Sequence, residues 1–160
     1  MISLLERLRP RPRNRPLAHR GALHTMSYIT QPTDCVQRAG IGLEWSDKPP
    51  VVASTAVIRL CEQACMQALL PVMPQGHYSL GCGQQLDHTG PIVIGAEIRI
   101  AARCVRARAF YSRWQVTVQD AHGTVGTGWM DFVVVGKVAF EARRVAPKYA
   151  ALRKVPALSA

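Results

Sequence analysis

The hydrophobic positions of this chain follow a helical period in one long stretch only, from Val51 to Leu70. Apolar residues recur there at steps of three and four, which places them on one face of an α-helix. The stretch ends at two prolines, which lack the amide that a continuing helix needs. Ser54 and Thr55 stand where a helix N-cap belongs, so one long helix is predicted over residues 54–70. Its predicted apolar face consists of Val57, Leu60, Cys61, Ala64, Cys65 and Ala68.

Apolar and polar residues alternate with period two in the second half of the chain. Such alternation is typical of strands that bury one face of a sheet. The clearest segments are residues 96–106, 110–119 and 124–135. Residues 120–123 have the composition of a hairpin turn between the last two segments. Three consecutive antiparallel strands are therefore predicted.

Two further segments are weaker strand candidates. Residues 78–87 can be extended, but Gly81 and Gly83 interrupt the pattern and indicate a bulge or a close backbone approach. Residues 37–45 are predicted to form a first short strand. Together with the three clear strands, these segments give an antiparallel sheet of about five strands.

The fold class that these elements predict is α+β, with one long helix packed on one antiparallel sheet. The apolar face of the sheet needs cover, and the helix over residues 54–70 is the only sizeable cover in the sequence. One helix is too narrow for about five strands. Pairing between the sheet edges of two copies would help, so a homodimer or a higher homo-oligomer is expected.

Positive charge is concentrated at the N-terminus. The formal net charge is +10 at pH 7, and the first twenty residues hold six arginines and one acid. Alternating arginine and proline cannot form a helix or a core, so residues 1–30 are predicted to be a disordered Arg/Pro-rich extension. A flexible tail or an upstream start codon is favoured over an organelle transit peptide. Residues 31–145 then form the folded domain, and residues 146–160 form a basic C-terminal tail.

The remaining composition restricts the class of protein. No run of about 18 apolar residues occurs, so no membrane partner is expected. No aromatic residues separate the N-terminal arginines, which argues against a nucleic-acid partner. The five cysteines are odd in number and include no Cys-x-x-Cys pair. They are interpreted as small core residues in a reducing cytoplasm, with no bound metal and no cofactor.

A few polar residues in the ordered region can carry chemistry. Taken singly, each has an ordinary explanation: Ser54 as an N-cap, Glu62 as a solvated helix residue and His88 as a surface turn histidine. Taken together, a hydroxyl, a carboxylate and an imidazole are the groups that acyl transfer uses. The combination therefore predicts a site more strongly than any one residue does.

The same residues give the chain a resemblance to a known family. A helix wrapped by an antiparallel sheet resembles the hot-dog fold, and the spacing of short motifs resembles its fluoroacetyl-CoA thioesterase-like branch. In that branch a threonine precedes the helix, a glutamate follows eight residues later and a histidine twenty-six beyond it, and Ser54, Glu62 and His88 keep both spacings. The matching motifs are Val52-Ala53-Ser54, Glu62-Gln63-Ala64-Cys65, Ser79-Leu80-Gly81, His88-Thr89 and Gly126-Thr127-Gly128.

The resemblance implies a hot-dog enzyme that hydrolyses a small or medium acyl-CoA thioester to the free acid and CoA. It implies that Glu62 attacks the thioester carbonyl or activates water, and that His88 transfers protons. Ser54 would position Glu62 or the substrate through its hydroxyl, and the amide of Gly81 would stabilise the oxyanion. The family's threonine is a serine here, so Thr55 is kept as an alternative hydroxyl.

The segment before the helix departs from the resemblance. The candidate lid residues are Trp45 and Lys48: the segment keeps one aromatic residue, Trp45, and has Lys48 where the fluoroacetyl-specific member carries a second aromatic residue. Recognition of a fluorinated acyl group is therefore not expected of this chain.

The spacing along the helix poses a geometric problem. Eight residues of helix rise about 12 Å, so Ser54 and Glu62 cannot touch in one straight helix. Either the helix begins after Ser54, or the site combines groups from two chains.

The competing interpretation of the sequence is a non-catalytic hot-dog module that binds acyl-CoA or another apolar ligand. A hot-dog dehydratase or hydratase is disfavoured because its Asp-x4-Asn-His pattern is absent from the sequence.

Overall fold

One long helix packs on a five-stranded antiparallel sheet in the computed structural model, which describes residues 16–40 and 43–152. The helices are α1 (Leu43–Ser46), α2 (Ser54–Leu69), α3 (Lys137–Phe140) and α4 (Ala146–Leu152). The strands are β1 (Leu23–Ile29), β2 (His77–His88), β3 (Glu97–Arg108), β4 (Tyr111–Asp120) and β5 (Gly123–Gly136). The predicted α+β class, with one long helix and about five strands, is confirmed.

The apolar face of α2 forms the centre of the core. Val57 and Leu60 are completely buried, and Leu69 is buried on the same face at the C-terminal end of α2. The small residues between them let the helix backbone approach the sheet closely. These small buried residues are Cys61, Ala64 and Cys65. Proline at position 71 lies in a 3-10 turn, Leu70–Val72, and ends the helix as predicted.

The start of α2 differs from the prediction. Ala53 occupies the N-cap position with an extended backbone, and no side chain caps the helix. Ser54 is already the first helical residue, so the N-cap role predicted for Ser54 or Thr55 is wrong. The Ser54 hydroxyl instead contacts a histidine on the sheet.

The sheet has the strand order β1-β3-β4-β5-β2, which leaves β1 and β2 at its edges. The strands β2 to β5 confirm the four predicted over residues 78–135. Alternate residues of β3 and β4 face α2 and are buried; they are Ile98, Ile100, Ala102, Cys104, Ser112, Trp114, Val116 and Val118. The Trp114 indole donates a hydrogen bond to Ser112 Oγ at 2.9 Å, so this buried N–H is satisfied.

The N-terminal boundary of the predicted domain is wrong. β1 pairs with β3 along its whole length, although it lies within the predicted disordered extension of residues 1–30. Its inward positions, His24, Met26 and Tyr28, mix polar and apolar groups, so their alternation does not stand out in the sequence. The sheet therefore begins at Leu23, and residues 1–15 lie outside the described part of the chain.

The predicted strand over residues 37–45 is also wrong. A 3-10 turn, Val36–Arg38, and helix α1 occupy this region instead. At the other end of the chain, the predicted tail of residues 146–160 begins with helix α4. Residues 153–160 lie outside the described part of the chain.

The cysteines are all free thiols, and every one except Cys82 is buried. Burial raises the pKa of the Cys61 thiol to about 12, so this thiol stays protonated in the core at neutral pH. Among residues 16–40 and 43–152, no group of three His, Cys, Asp or Glu side chains could hold a metal ion.

None of the described helices has the length and hydrophobicity that crossing a membrane requires.

Leu60→Ala is expected to destabilise the fold by about 2–5 kcal/mol, because it leaves a cavity between α2 and the sheet. Met66 lies on the same helix but is 40% exposed, so Met66→Ala should cost less than about 1 kcal/mol. Urea denaturation followed by tryptophan fluorescence measures both free energies of unfolding. Equal losses for the two variants would contradict the placement of Leu60 in the core.

Candidate active site

Ser54 and His88 meet where α2 begins and β2 ends. The Ser54 Oγ lies 3.0 Å from His88 Nδ1, which is hydrogen-bond distance. Ser54 is the first residue of α2 and His88 is the last residue of β2. Both side chains are therefore held by the ends of regular elements. The fold brings together the predicted hydroxyl and the predicted imidazole.

The second ring nitrogen of His88 has no access to solvent. His88 Nε2 is buried, and it has no hydrogen-bond partner among residues 16–40 and 43–152. Nδ1 is the ring nitrogen that contacts the serine hydroxyl, so Ser54 and His88 can exchange a proton directly.

Glu62 and Gly81 meet about two helical turns further along α2. A Cβ atom built on Gly81 would lie 2.5 Å from Glu62 Oε1, closer than a real Cβ tolerates. A side chain at this point of β2 would displace the carboxylate, whereas glycine lets it lie against the backbone. The Glu62 side chain is half-buried. A carboxylate therefore packs directly on a glycine backbone, as the close approach predicted at Gly81 requires.

A β-bulge shapes β2 at this contact. The pairing of β2 with β5 shifts between Gly81, which faces Phe132, and Gly83, which faces Asp131. Cys82 is therefore an extra residue with no partner of its own on β5. The interruption predicted from the two glycines is confirmed as a bulge.

The two pairs of groups stay apart within one chain. Because α2 is helical from Ser54 to Leu69, Glu62 lies about 12 Å further along the helix axis than Ser54. The alternative in which the helix begins after Ser54 is wrong. One chain presents a hydroxyl and an imidazole at one end of the α2–β2 contact, and a carboxylate and a glycine at the other.

Thr55, the alternative hydroxyl, lies in different surroundings. It lines a separate pocket together with Asp34 and Arg59. The hydrogen-bond partner of His88 Nδ1 is Ser54, the residue that keeps the helical spacing to Glu62. The geometry favours Ser54 over Thr55 as the site hydroxyl.

Asp34 anchors the start of α2, and sequence analysis missed it because no motif or period marks it. Its buried carboxylate accepts hydrogen bonds from the Tyr28 hydroxyl at 2.9 Å and from Arg59 Nη2 at 2.6 Å. Its backbone carbonyl accepts the N–H of Ala53 at 2.8 Å, one residue before Ser54. The network ties β1, α2 and the connecting turn together and fixes where Ser54 stands.

The candidate lid residues Trp45 and Lys48 lie together in the segment before α2. Lys48 Nζ is 5.6 Å from the centroid of the Trp45 ring, a cation–π contact. Gln37 Nε2 donates to the backbone carbonyls of Ser46 at 3.3 Å and Lys48 at 2.7 Å. These contacts hold the segment to the preceding turn, and its role as a lid stays a prediction.

Residues 31–138 match the model of the fluoroacetyl-CoA-specific thioesterase (FlK) family. A curated relative, the fluoroacetyl-CoA thioesterase of Streptantibioticus cattleyicolor, is 26% identical over 100 residues, which cover 62% of this chain and 72% of the relative. The match to the family model therefore spans all the residues assigned to the candidate site.

Solved structures show the same fold. A point mutant of the fluoroacetyl-CoA-specific thioesterase aligns with a TM-score of 0.77 at 24% identity, covering 82% of this chain and 97% of that one. A thioesterase superfamily member from Thermus thermophilus aligns with a TM-score of 0.74 at 22% identity, covering 86% and 98%. A hot-dog-like protein from Thermanaerovibrio acidaminovorans aligns with a TM-score of 0.69 at 21% identity, covering 88% and 96%. The hot-dog fold is thereby confirmed.

Replacing Ser54 with alanine is expected to change the ring ¹⁵N resonances of His88, because Nδ1 loses its hydrogen-bond partner. Thr55→Ala is the matched control and should leave these resonances in place, since Thr55 lies in the separate pocket. Long-range ¹H–¹⁵N spectra of the histidine rings measure both. A response to Thr55→Ala but not to Ser54→Ala would reverse the assignment of the hydroxyl.

Proposed function

This chain belongs to the fluoroacetyl-CoA-specific thioesterase family of acyl-CoA thioester hydrolases, and we propose that it hydrolyses a small or medium acyl-CoA to the free acid and CoA. The observation that carries the proposal is the pairing of Ser54 Oγ with His88 Nδ1 at 3.0 Å, with Glu62 held against Gly81 on the same sheet face. The departure at Lys48, where the fluoroacetyl-specific member carries an aromatic residue, argues against a fluorinated acyl group as the substrate.

Glu62 is the group that we assign to the reacting carbonyl. Its carboxylate either attacks the thioester carbon, forming an anhydride that water then hydrolyses, or takes a proton from the water that attacks. On both routes the C–S bond breaks, the water hydroxyl ends on the acyl group and the remaining proton ends on the CoA thiolate. The Gly81 amide stabilises the oxyanion, because a glycine backbone lets the carbonyl approach closely.

His88 and Ser54 move the proton as one unit. His88 accepts and returns a proton through Nδ1, the ring nitrogen that contacts Ser54. Because the Ser54 hydroxyl contacts Nδ1, it can pass that proton to or from the water or the leaving thiolate. Loss of either residue breaks the same relay.

The complete site forms between two chains. β2 is an edge strand of the described sheet, and edge strands can pair with a second copy, so a symmetric dimer joined through two β2 strands fits this topology. A two-fold axis between Gln84 and Gln85 of the paired strands sets His88 of each chain opposite Gly81 of the other. Ser54 and His88 of one chain then face Glu62 of the partner, which removes the separation that α2 imposes within one chain.

The same dimer covers part of the sheet that α2 leaves open, as the sequence predicts. The cysteines are all free thiols, which fits a reducing cytoplasm as the place where the protein works.

Thioester hydrolysis measured as thiol release over a panel of short, medium, long and aryl acyl-CoAs tests the proposed reaction. We expect clear turnover of one class of short or medium acyl-CoA. Glu62→Gln should lower kcat by roughly 100-fold or more, because the amide can neither attack nor accept a proton. Ser54→Ala and His88→Ala should each lower kcat, and Ser54→Ala/His88→Ala should lose no more than the worse single variant.

The control is Glu97→Gln, an exposed carboxylate at the start of β3, which should keep the wild-type rate. No turnover of any acyl-CoA, combined with thermal stabilisation by CoA thioesters, would support the non-catalytic binding module instead. Full activity of Glu62→Gln would remove the assigned role of Glu62.

Mixing inactive variants tests whether the site is shared between chains. After co-refolding of equal amounts, Glu62→Ala and His88→Ala chains form mixed dimers in which one of the two sites has every group intact. Random pairing should therefore restore about one quarter of wild-type activity. Restoration is not expected when Ser54→Ala is mixed with His88→Ala, since both changes fall in the same half-site. No recovery in the first mixture would place the complete site in one chain.

A further inference from the structure

A buried charged cluster lies on the outer face of the sheet, away from α2. Asp131 of β5 is only 7% exposed. Its carboxylate accepts hydrogen bonds from Arg113 Nε at 2.7 Å, Arg113 Nη2 at 2.8 Å and the Tyr111 hydroxyl at 2.7 Å. The Arg113 guanidinium also stacks on Trp129, 4.2 Å from the ring centroid. A bidentate ion pair of this kind holds a carboxylate in one orientation.

The hydrogen bonds from Arg113 hold the pKa of Asp131 below its ordinary value, so Asp131 is ionised at neutral pH. The carboxylate is buried, but the Arg113 side chain is 37% exposed, so solvent partly screens the ion pair. The position of the cluster is therefore more informative than its charge.

The cluster lies directly behind the bulge of β2. A Cβ atom built on Gly83 would lie 3.0 Å from Asp131 Oδ2 and 3.3 Å from the Trp129 ring. Gly81, on the other side of the extra residue Cys82, meets Glu62 in the same way on the inner face. Two glycines thus flank the bulge, and a carboxylate packs on each of them from opposite faces of the sheet.

The cluster also contacts β2 at a second position. The Trp129 indole N–H donates to Gln85 Oε1 at 3.3 Å, so the contacts fall at Gly83 and at Gln85.

We propose that Asp131, held by Arg113 and Tyr111, is a positioning residue that fixes the bulge at Cys82 and thereby sets the Gly81 peptide against Glu62. Asp131 touches no substrate and acts through the backbone of β2. The proposal rests on the proposed function, because it takes the Gly81 amide as the oxyanion donor. A displacement of that amide by a fraction of an ångström is enough to weaken its hydrogen bond to the oxyanion.

Asp131→Asn is the variant that tests this role, because it keeps the size of the side chain and removes the negative charge that pairs with Arg113. We expect kcat for the best acyl-CoA substrate to fall about 10-fold while KM stays within about 2-fold. We also expect the backbone ¹H–¹⁵N resonances of Gly81 and Cys82 to shift. Arg113→Lys, which retains the positive charge but cannot form the bidentate ion pair, should lower kcat by a smaller factor.

Glu97→Gln is the matched control, a neutralised carboxylate on the outer face far from the bulge. It should change neither kcat nor the Gly81 resonance. If Asp131→Asn does not fold, Tyr111→Phe removes one hydrogen bond to Asp131 and leaves the ion pair, and it should still shift the Gly81 resonance.

A lower melting temperature with unchanged kcat and an unmoved Gly81 resonance would overturn the proposal, since that is the result of a purely structural ion pair. The Gly81 resonance needs no turnover. If the wild-type chain hydrolyses no acyl-CoA, the proposed function fails, whereas the control of the Gly81 peptide by Asp131 is still decided by the spectrum.

Discussion

A straight helix keeps Ser54 and Glu62 about 12 Å apart, and the organisation of the site follows from that distance. The hydroxyl that contacts the imidazole stands at the start of α2, whereas the carboxylate stands two turns later against Gly81. The proposed reaction uses groups from both pairs. We therefore propose a second copy whose helix runs the other way, paired along β2, an edge strand of the described sheet.

Rigid packing makes this separation dependable. The buried face of α2 combines small residues, Cys61, Ala64 and Cys65, with the larger Val57 and Leu60, and all five are completely buried. Asp34 then pins the residue before Ser54 through a backbone hydrogen bond. On the sheet side, glycine at position 81 lets Glu62 lie close to the backbone, and the bulge at Cys82 follows directly after it. The site is placed by the ends of regular elements and by one irregularity, so little of it depends on loops.

Much of this fold could be predicted from periodicity, because α2 and the strands β2 to β5 bury one face each and so carry clear patterns. β1 could not, because His24 and Tyr28 interrupt its apolar positions and an arginine-rich stretch precedes it. The candidate residues Ser54, Glu62 and His88 followed from their spacing in a resemblance to known thioesterases. Asp34 and Asp131 had no such signal, since a buried carboxylate looks like any surface acid until its hydrogen-bond donors are seen in three dimensions.

The most direct test of the shared site is a crystal structure of the dimer of Glu62→Gln with a bound acyl-CoA. If the site is shared, residue 62 of one chain and the Ser54–His88 pair of the other flank the same thioester carbonyl, within hydrogen-bond reach or one bridging water. We also expect the carbonyl oxygen to lie against the Gly81 amide. A structure in which residue 62 faces open solvent, more than about 10 Å from both copies of His88, would contradict the shared site.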